Sequence, residues 1–227
     1  MNTMKKKIII ALTFVTLCCT ALGFSYSELK KKTAPSNDAV NLSVEDKVSQ
    51  TPIVIYNTHV DEEYNFGKNV IDVGKIISNN LKKEGLNSNF IEVSPPSSYL
   101  ESYPNSRETI KNKASNYDKS VLLDIHRQVS NDSKTNNRSI LLVLSKNSPN
   151  YESNKSFADS LMKEINEIGK VKADIYLFNK GINYFNQDLA KNSLIVEIGS
   201  EKSTAEDVNA CISTLVSALK KVNISSF

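Results

Sequence analysis

The chain is poor in the residues that would make several simple readings possible. It has two histidines and three cysteines in 227 residues. Cys18 and Cys19 share one apolar segment, which leaves Cys211 without a partner elsewhere and excludes a disulfide-stapled fold. Cys211 instead falls in a helical apolar pattern with Val208, Ile212, Leu215, Val216 and Leu219, where a small core hydrophobe is expected rather than a reactive nucleophile. Internal repeats and low-complexity tracts are missing. A basic field is missing too: Lys5 to Lys7 and Lys30 to Lys32 are all the bases before residue 33, against the single acid Glu28, so the formal +3 becomes −2 in the remainder. The chain therefore lacks the electrostatic footprint of a nucleic-acid binder, and no nucleic-acid partner is expected.

What is present is organised from the N-terminus. Residues 1–7 form a short basic flank, expected to be cytoplasmic, and residues 8–24 are 17 uncharged residues. That length suits an uncleaved transmembrane signal anchor, with a cleaved signal peptide as the alternative. A lipoprotein reading of Cys18 or Cys19 lacks the leucine expected three residues earlier. Residues 25–50 are polar, contain Pro35 and show no period, as a flexible tether would. Residues 51–227, with a 40% hydrophobic chain to draw on, form the expected extracytoplasmic domain, held at the cell membrane or secreted if the signal is cleaved.

Within that domain, apolar strands alternate with helical patterns. Pro52 to Tyr56, Ser88 to Val93, Val121 to Ile125, Ile140 to Leu144, Asp174 to Phe178 and Ser193 to Glu197 read as extended. Val70 to Lys83, Ser106 to Ala114, Ser153 to Gly169 and Thr204 to Lys221 read as helices. Val129 to Arg138 reads as a hairpin-like or mobile connection. The alternation predicts an α/β fold with a mostly parallel central sheet flanked by helices.

Both histidines follow such strands. Tyr56-Asn57-Thr58 leads into His59, with Glu62 and Glu63 behind it, and Val121 to Ile125 runs into His126. A third apolar run ends in Glu197-Ile198-Gly199. Ligands of open α/β sheets gather beyond the carboxyl ends of parallel strands, so these side chains are candidates for one site. His59 and His126 suit a zinc ion, and Glu62 could add a carboxylate, leaving a fourth position for a water whose pKa falls to about 7. Glu63 is the competitor and reads as solvated. Glu197 is either a proton carrier opposite that water or a strand-end acid pointing into solvent. Asp124 alternates to the face of His126, where it either orients the imidazole or serves structure alone.

The segments Tyr56 to Tyr64, Asp124 to Arg127, Tyr184 to Leu189 and Ser193 to Gly199 together resemble the stage II sporulation protein P family, as does an N-terminal membrane segment before one extracytoplasmic domain. The resemblance runs from about Ile53 to Val222. It implies an amidase-3-like fold and an N-acetylmuramoyl-L-alanine amidase that uses one zinc to cleave peptidoglycan between muramic acid and the first L-alanine of the stem peptide. It also implies work in sporulation and engulfment beside the stage II sporulation proteins D and M. By position it makes His59, Glu62 and His126 the metal ligands and Glu197 the catalytic acid/base, with Arg127 available to a stem-peptide carboxylate. Related amidases place their ligand glutamate on the following helix, where this chain has Asp72 and no glutamate before Glu84.

Several positions depart from the family pattern. Asn57 stands for a histidine, Val60-Asp61 follows His59, Gln128 replaces an aspartate, and Ser200 and Lys202-Ser203 replace a glycine and an asparagine. These leave a divergent paralogue as one reading, and a catalytically inactive cell-wall-binding module of the same fold as the alternative function.

Overall fold

The computed structural model describes residues 51–130, 137–180 and 184–222, all within one unit, Asp46–Phe227. The expectations for residues 1–7, 8–24 and 25–50 lie outside the described residues. Among the described residues no helix is long and apolar enough to cross a membrane.

Six strands form one sheet: β1 (Ile53–Tyr56), β2 (Ser88–Phe90), β3 (Val121–Gln128), β4 (Ser139–Ser145), β5 (Lys172–Phe178) and β6 (Asn192–Ser200), in the order β2-β1-β3-β6-β4-β5. Four pairings are parallel and one, β4 with β6, is antiparallel. The sheet is thus mixed, with β4 and β5 running against the other four. The stretch after Val129 is a connection, as expected, but not a hairpin, because β6 lies between β3 and β4; its residues 131–136 lie outside the described set. Strand direction could not be read from pattern, because a strand buried on both faces is a plain apolar run whichever way it points.

Helices α1 (Val70–Lys83), α2 (Ser102–Lys113), α3 (Tyr151–Ile168) and α4 (Ala205–Lys221) complete the fold. α1 starts at a reciprocal cap between Asn69 and Asp72, and α4 at one between Thr204 and Asp207. Gly169, in the left-handed region, closes α3. The larger core joins α1, α3 and α4 to one face of the sheet through residues such as Ile53, Ile55, Leu123, Ile125, Val196 and Ile198. The strand period of two sends Val54, Tyr56 and Leu122 to the other face, where Ile110 of α2 and Leu189 cover them. α2 begins four residues earlier than its pattern suggests, since Pro104 lies in its first turn, where no amide hydrogen is needed. Its buried stripe is Ser102, Ser106 and Ile110, too polar to signal a helix by hydrophobicity.

β6 continues three residues beyond the expected end at Glu197. Leu141 pairs with Glu197 from one side and His126 from the other, and Ser200 pairs with Gln128 after a register shift. The extension needs Gly199: its φ is +58°, and a Cβ there would lie 2.8 Å from the Asn137 carbonyl oxygen, and closer still to Ser203 Oγ. Gly199→Ala is therefore expected to lower stability by about 1–3 kcal/mol, the cost of left-handed backbone in a residue with a Cβ, or more if the clash cannot relax; a thermal melt unchanged from that of the parent chain would contradict this reading.

Candidate metal centre

The order of strands places β1, β3 and β6 side by side and parallel. The chain leaves β1 for β2 on one side and later returns to β3 on the other, so a crevice opens beyond the ends of β1 and β3. His59 sits in the turn after β1. His126 is inside β3, and Glu197 is its direct register partner on β6. Register partners in a parallel pair share a face, so both side chains emerge on the α2 side of the sheet.

Glu62 joins the two histidines. Its Oε1 lies 3.1 Å from His126 Nδ1 and 3.5 Å from His59 Nδ1, while its Oε2 accepts a hydrogen bond from the Arg127 amide at 3.0 Å. One oxygen or nitrogen from each of His59, Glu62 and His126 falls within 4.8 Å of the others. Glu63 is exposed and outside this group, and Asp72 is engaged in the α1 capping box, so Glu62 is the carboxylate of the group. The donor set fits zinc: two imidazoles and one carboxylate, with His59 Nε2 buried and without a hydrogen-bond partner.

Asp124 is fully buried on the same face. Its Oδ1 accepts the Thr58 amide at 2.8 Å and its Oδ2 the Thr58 hydroxyl at 2.6 Å. His126 Nε2 lies 3.1 Å from Oδ1, close enough for charge attraction although the angle does not make a hydrogen bond. His126 is thus held between Asp124 at one ring nitrogen and Glu62 at the other. Burial pulls its imidazolium down, but these two carboxylates outweigh that and hold its pKa well above the ordinary value. Glu62 shows the converse: burial raises its carboxyl, and hydrogen bonds from His126 and His59 bring it down to about 2. A metal entering here displaces ring protons, so its binding releases protons and weakens as pH falls.

Glu197 differs from both. It is mostly buried, and desolvation pushes its carboxyl up to about 7, against the pull of His126 and with the help of Glu62's charge. A carboxyl near neutrality, on the strand beside His126, is suited to taking and returning a proton. Arg127 is placed differently from the rest. Its guanidinium Nη1 donates to the Gln128 carbonyl at 3.3 Å and lies 3.9 Å from Glu201, while Nε is buried without a partner. Glu201 is itself held by the Ser130 amide at 2.8 Å and by the Ser130 hydroxyl.

Three features escaped sequence reasoning. Thr58 anchors Asp124 and so fixes the chain just before His59. Tyr99 and Tyr103 wall His59, with ring centroids 4.6 and 5.7 Å away. Their spacing of four residues was the available signal, but it straddles the start of α2. Three of the departures from the family pattern prove to be structural ties. Asn57 donates to the Val70 and Ile125 carbonyls, Gln128 donates to Ser139 Oγ, and Ser200 donates to Asn137 Oδ1. Cys211 is buried against the Ser139 carbonyl with its thiol pushed up to about 12 by desolvation, a core residue as expected.

The fold is that of amidase catalytic domains. The catalytic domain of CwlV, an N-acetylmuramoyl-L-alanine amidase from Bacillus (Paenibacillus) polymyxa var. colistinus, superposes with a TM-score of 0.50 at 12% identity, covering 74% of this chain and 96% of that one. The CwlD amidase from Clostridioides difficile, solved in complex with the GerS lipoprotein, gives 0.49 at 13% identity over 75% and 97%. The amidase AmiC2 of Nostoc punctiforme gives 0.47 at 12% over 76% and 96%. No curated protein matches by sequence. Residues 23–220 match the model of the Stage II sporulation protein P (SpoIIP) family, and the chain belongs to that family.

Two measurements probe the centre. His126→Ala is expected to lose stoichiometric zinc, whereas Asp124→Asn retains it with affinity reduced by about 10- to 100-fold, the usual effect of removing a carboxylate behind a ligand; competition with a chromophoric chelator reads both, and equal zinc retention by all three proteins would refute the ligand set. The second is the pH dependence of the metal-free chain. Folded Glu197 holds its proton up to about pH 7, whereas an unfolded glutamate releases it near its reference value of about 4.3. That stabilising contribution is complete below the unfolded value and is lost as pH rises through the folded one. In chelator, the melting temperature of Glu197→Gln relative to the parent should therefore climb between these two pH values; a constant difference would mean that Glu197 is not a buried carboxyl.

Proposed function

We propose that the chain is a zinc-dependent peptidoglycan hydrolase acting in sporulation, an N-acetylmuramoyl-L-alanine amidase that cleaves the amide between muramic acid and the first L-alanine of the stem peptide. The observation that carries the reading is the meeting of His59, Glu62 and His126 beside Glu197 on one face of an amidase-type sheet. Family membership supplies the sporulation context.

His59, Glu62 and His126 would hold the zinc. When bound there, zinc supplies a Lewis acid that polarises the amide carbonyl and makes water acidic enough to attack near neutral pH. The chain's own residues do the rest. Glu197 accepts the proton of the attacking water and delivers it to the amide nitrogen as the C–N bond breaks, which leaves a lactyl carboxylate on the sugar and a free amino group on L-alanine. Asp124 and Thr58 hold the His126 ring and the approach to His59 in place. Arg127 is the residue proposed to hold a stem-peptide carboxylate. Gln128 and Ser200 hydrogen-bond within the fold, which leaves the wall-binding alternative without an observation of its own. Residues 8–24 would anchor the domain on the outer side of the cell membrane, where peptidoglycan and the stage II sporulation proteins D and M are its proposed partners.

Mass spectrometry of peptidoglycan digested with the zinc-loaded protein is expected to find stem peptides with free L-alanine amino termini. Glu197→Gln should release them about 10²–10⁴-fold more slowly while binding zinc normally. A Glu197→Gln protein that works at the parental rate would remove Glu197 from the mechanism, and a fully metal-loaded parent that releases no such peptides would remove the amidase.

A further inference from the structure

Beside His59 the surface opens into a groove of about 520 Å³, lined chiefly by Tyr99, Leu100, Tyr103, Pro104, Tyr184 and Phe185. This volume lies within the range of about 300–1,000 Å³ usual for small-ligand sites. Two of its aromatic residues are open to solvent, Tyr99 at 74% and Tyr184 at 39%, and Leu100 beside Tyr99 is 85% exposed. The groove is continuous with the metal centre, because the rings of Tyr99 and Tyr103 are also the walls of His59.

The far wall is built at a cost. Phe185 and Asn186 are consecutive residues with φ of +51° and +58°, and neither is glycine. Left-handed backbone is unfavourable for a residue with a Cβ, more so for Phe than for Asn, and persists where the surroundings impose it. Here Asn186 donates to Ser106 Oγ at 2.9 Å, and Gln187 is locked by the Ser145 amide at 2.9 Å and the Val143 carbonyl at 2.8 Å. The result aims the Phe185 ring at Tyr103, 5.2 Å away, with Phe178 behind it at 4.8 Å. Ser106 in turn contacts the Thr58 hydroxyl that holds Asp124, so groove wall and metal centre share one buried hydrogen-bond chain.

Among the described residues the groove's lining carries no free charge. Its one charged lining residue, Arg107, is engaged in a bidentate pair with Asp188 at 2.9 and 2.6 Å. The two halves of the proposed substrate differ in this respect: a stem peptide ends in a carboxylate, whereas an N-acetylhexosamine is neutral. The axial C–H face of a pyranose is apolar and weakly positive, the complement of the negative face of an aromatic ring.

We propose that this groove is the glycan subsite, taking an uncharged N-acetylhexosamine unit of the strand against Tyr99 and Tyr184. The assignment rests on the amidase reading for its substrate but is tested without turnover. A tetramer of N-acetylglucosamine, which has no stem peptide and no carboxylate, is titrated into the zinc-loaded full chain in mild detergent while the ring resonances of Tyr99 and Tyr184 are followed by NMR. Saturable shifts of both rings are expected. Tyr99→Ala and Tyr184→Ala should each weaken binding about tenfold, a change of about 1.4 kcal/mol, while Tyr99→Phe, which keeps the ring, should not. Zinc content should be the same in Tyr184→Ala and Tyr99→Phe as in the parent, which shows that the fold is intact, and with peptidoglycan Tyr184→Ala should raise KM. The proposal is overturned if the tetramer leaves both rings unmoved, or if free stem peptide moves them and the tetramer does not. Tetramer binding without release of stem peptides would sink the amidase reading and keep the subsite. Undiminished kcat/KM for stem-peptide release in the Tyr99→Ala, Tyr184→Ala double variant would do the reverse.

Discussion

A buried carboxylate that must be neutralised organises this molecule. Asp124 has no access to water, and an unpaired charge in such a place costs several kcal/mol. Its partners are the Thr58 amide, the Thr58 hydroxyl and the His126 ring, which come from β1's exit and from its own strand. Satisfying Asp124 therefore docks the turn that carries His59 onto the strand that carries His126. Thr58 passes the constraint on to Ser106 of α2, and Ser106 passes it to Asn186 in the connection between β5 and β6. Four segments distant in sequence are brought into register by one charge. The unusual polarity of α2's inner stripe follows: a helix that faced this network with leucines would leave its hydroxyls and amide unpaired.

Glu62 and Glu197 show how one sheet edge sets two acids apart. Both are largely buried and both lie near His126. Glu62 receives hydrogen bonds from two imidazoles and a backbone amide, and stays ionised. Glu197 faces the same charges across the strand pairing without such donors, and desolvation holds its proton near neutrality. A carboxylate that keeps its charge suits a metal ligand, and one that exchanges its proton suits an acid/base.

Much of this was legible beforehand, for identifiable reasons. β1, β3 and β6 are buried on both faces, so Ile53 to Tyr56, Val121 to Ile125 and Ser193 to Val196 stand out as apolar runs, and the few polar side chains among them, Asp124, His126 and Glu197, stand out in turn. The scarcity of histidine made the pairing of His59 with His126 easy to see. The reversal of β4 and β5 was hidden, because Ile140 to Leu144 reads the same in either direction. The start of α2 was hidden by Pro104 and by its serines. The aromatic groove beside His59 was hidden because Tyr99 precedes the helix and Tyr184 lies some eighty residues on, a proximity that the Asn186 to Ser106 bond, the Arg107–Asp188 pair and the Tyr103–Phe185 contact bring about. Substitutions that looked like losses, Asn57, Gln128 and Ser200, are hydrogen-bonded ties, a distinction that no residue identity carries by itself.

β6 is hydrogen-bonded on both sides, to β3 in parallel and to β4 in antiparallel. Its amides can exchange with solvent only when the middle of the sheet comes apart, whereas the turn that carries His59 is held by the two bonds from Thr58 to Asp124. Opening that turn without opening the sheet means breaking those two buried bonds, so amide exchange at Thr58 reports on the buried carboxylate and exchange along β6 on the sheet as a whole.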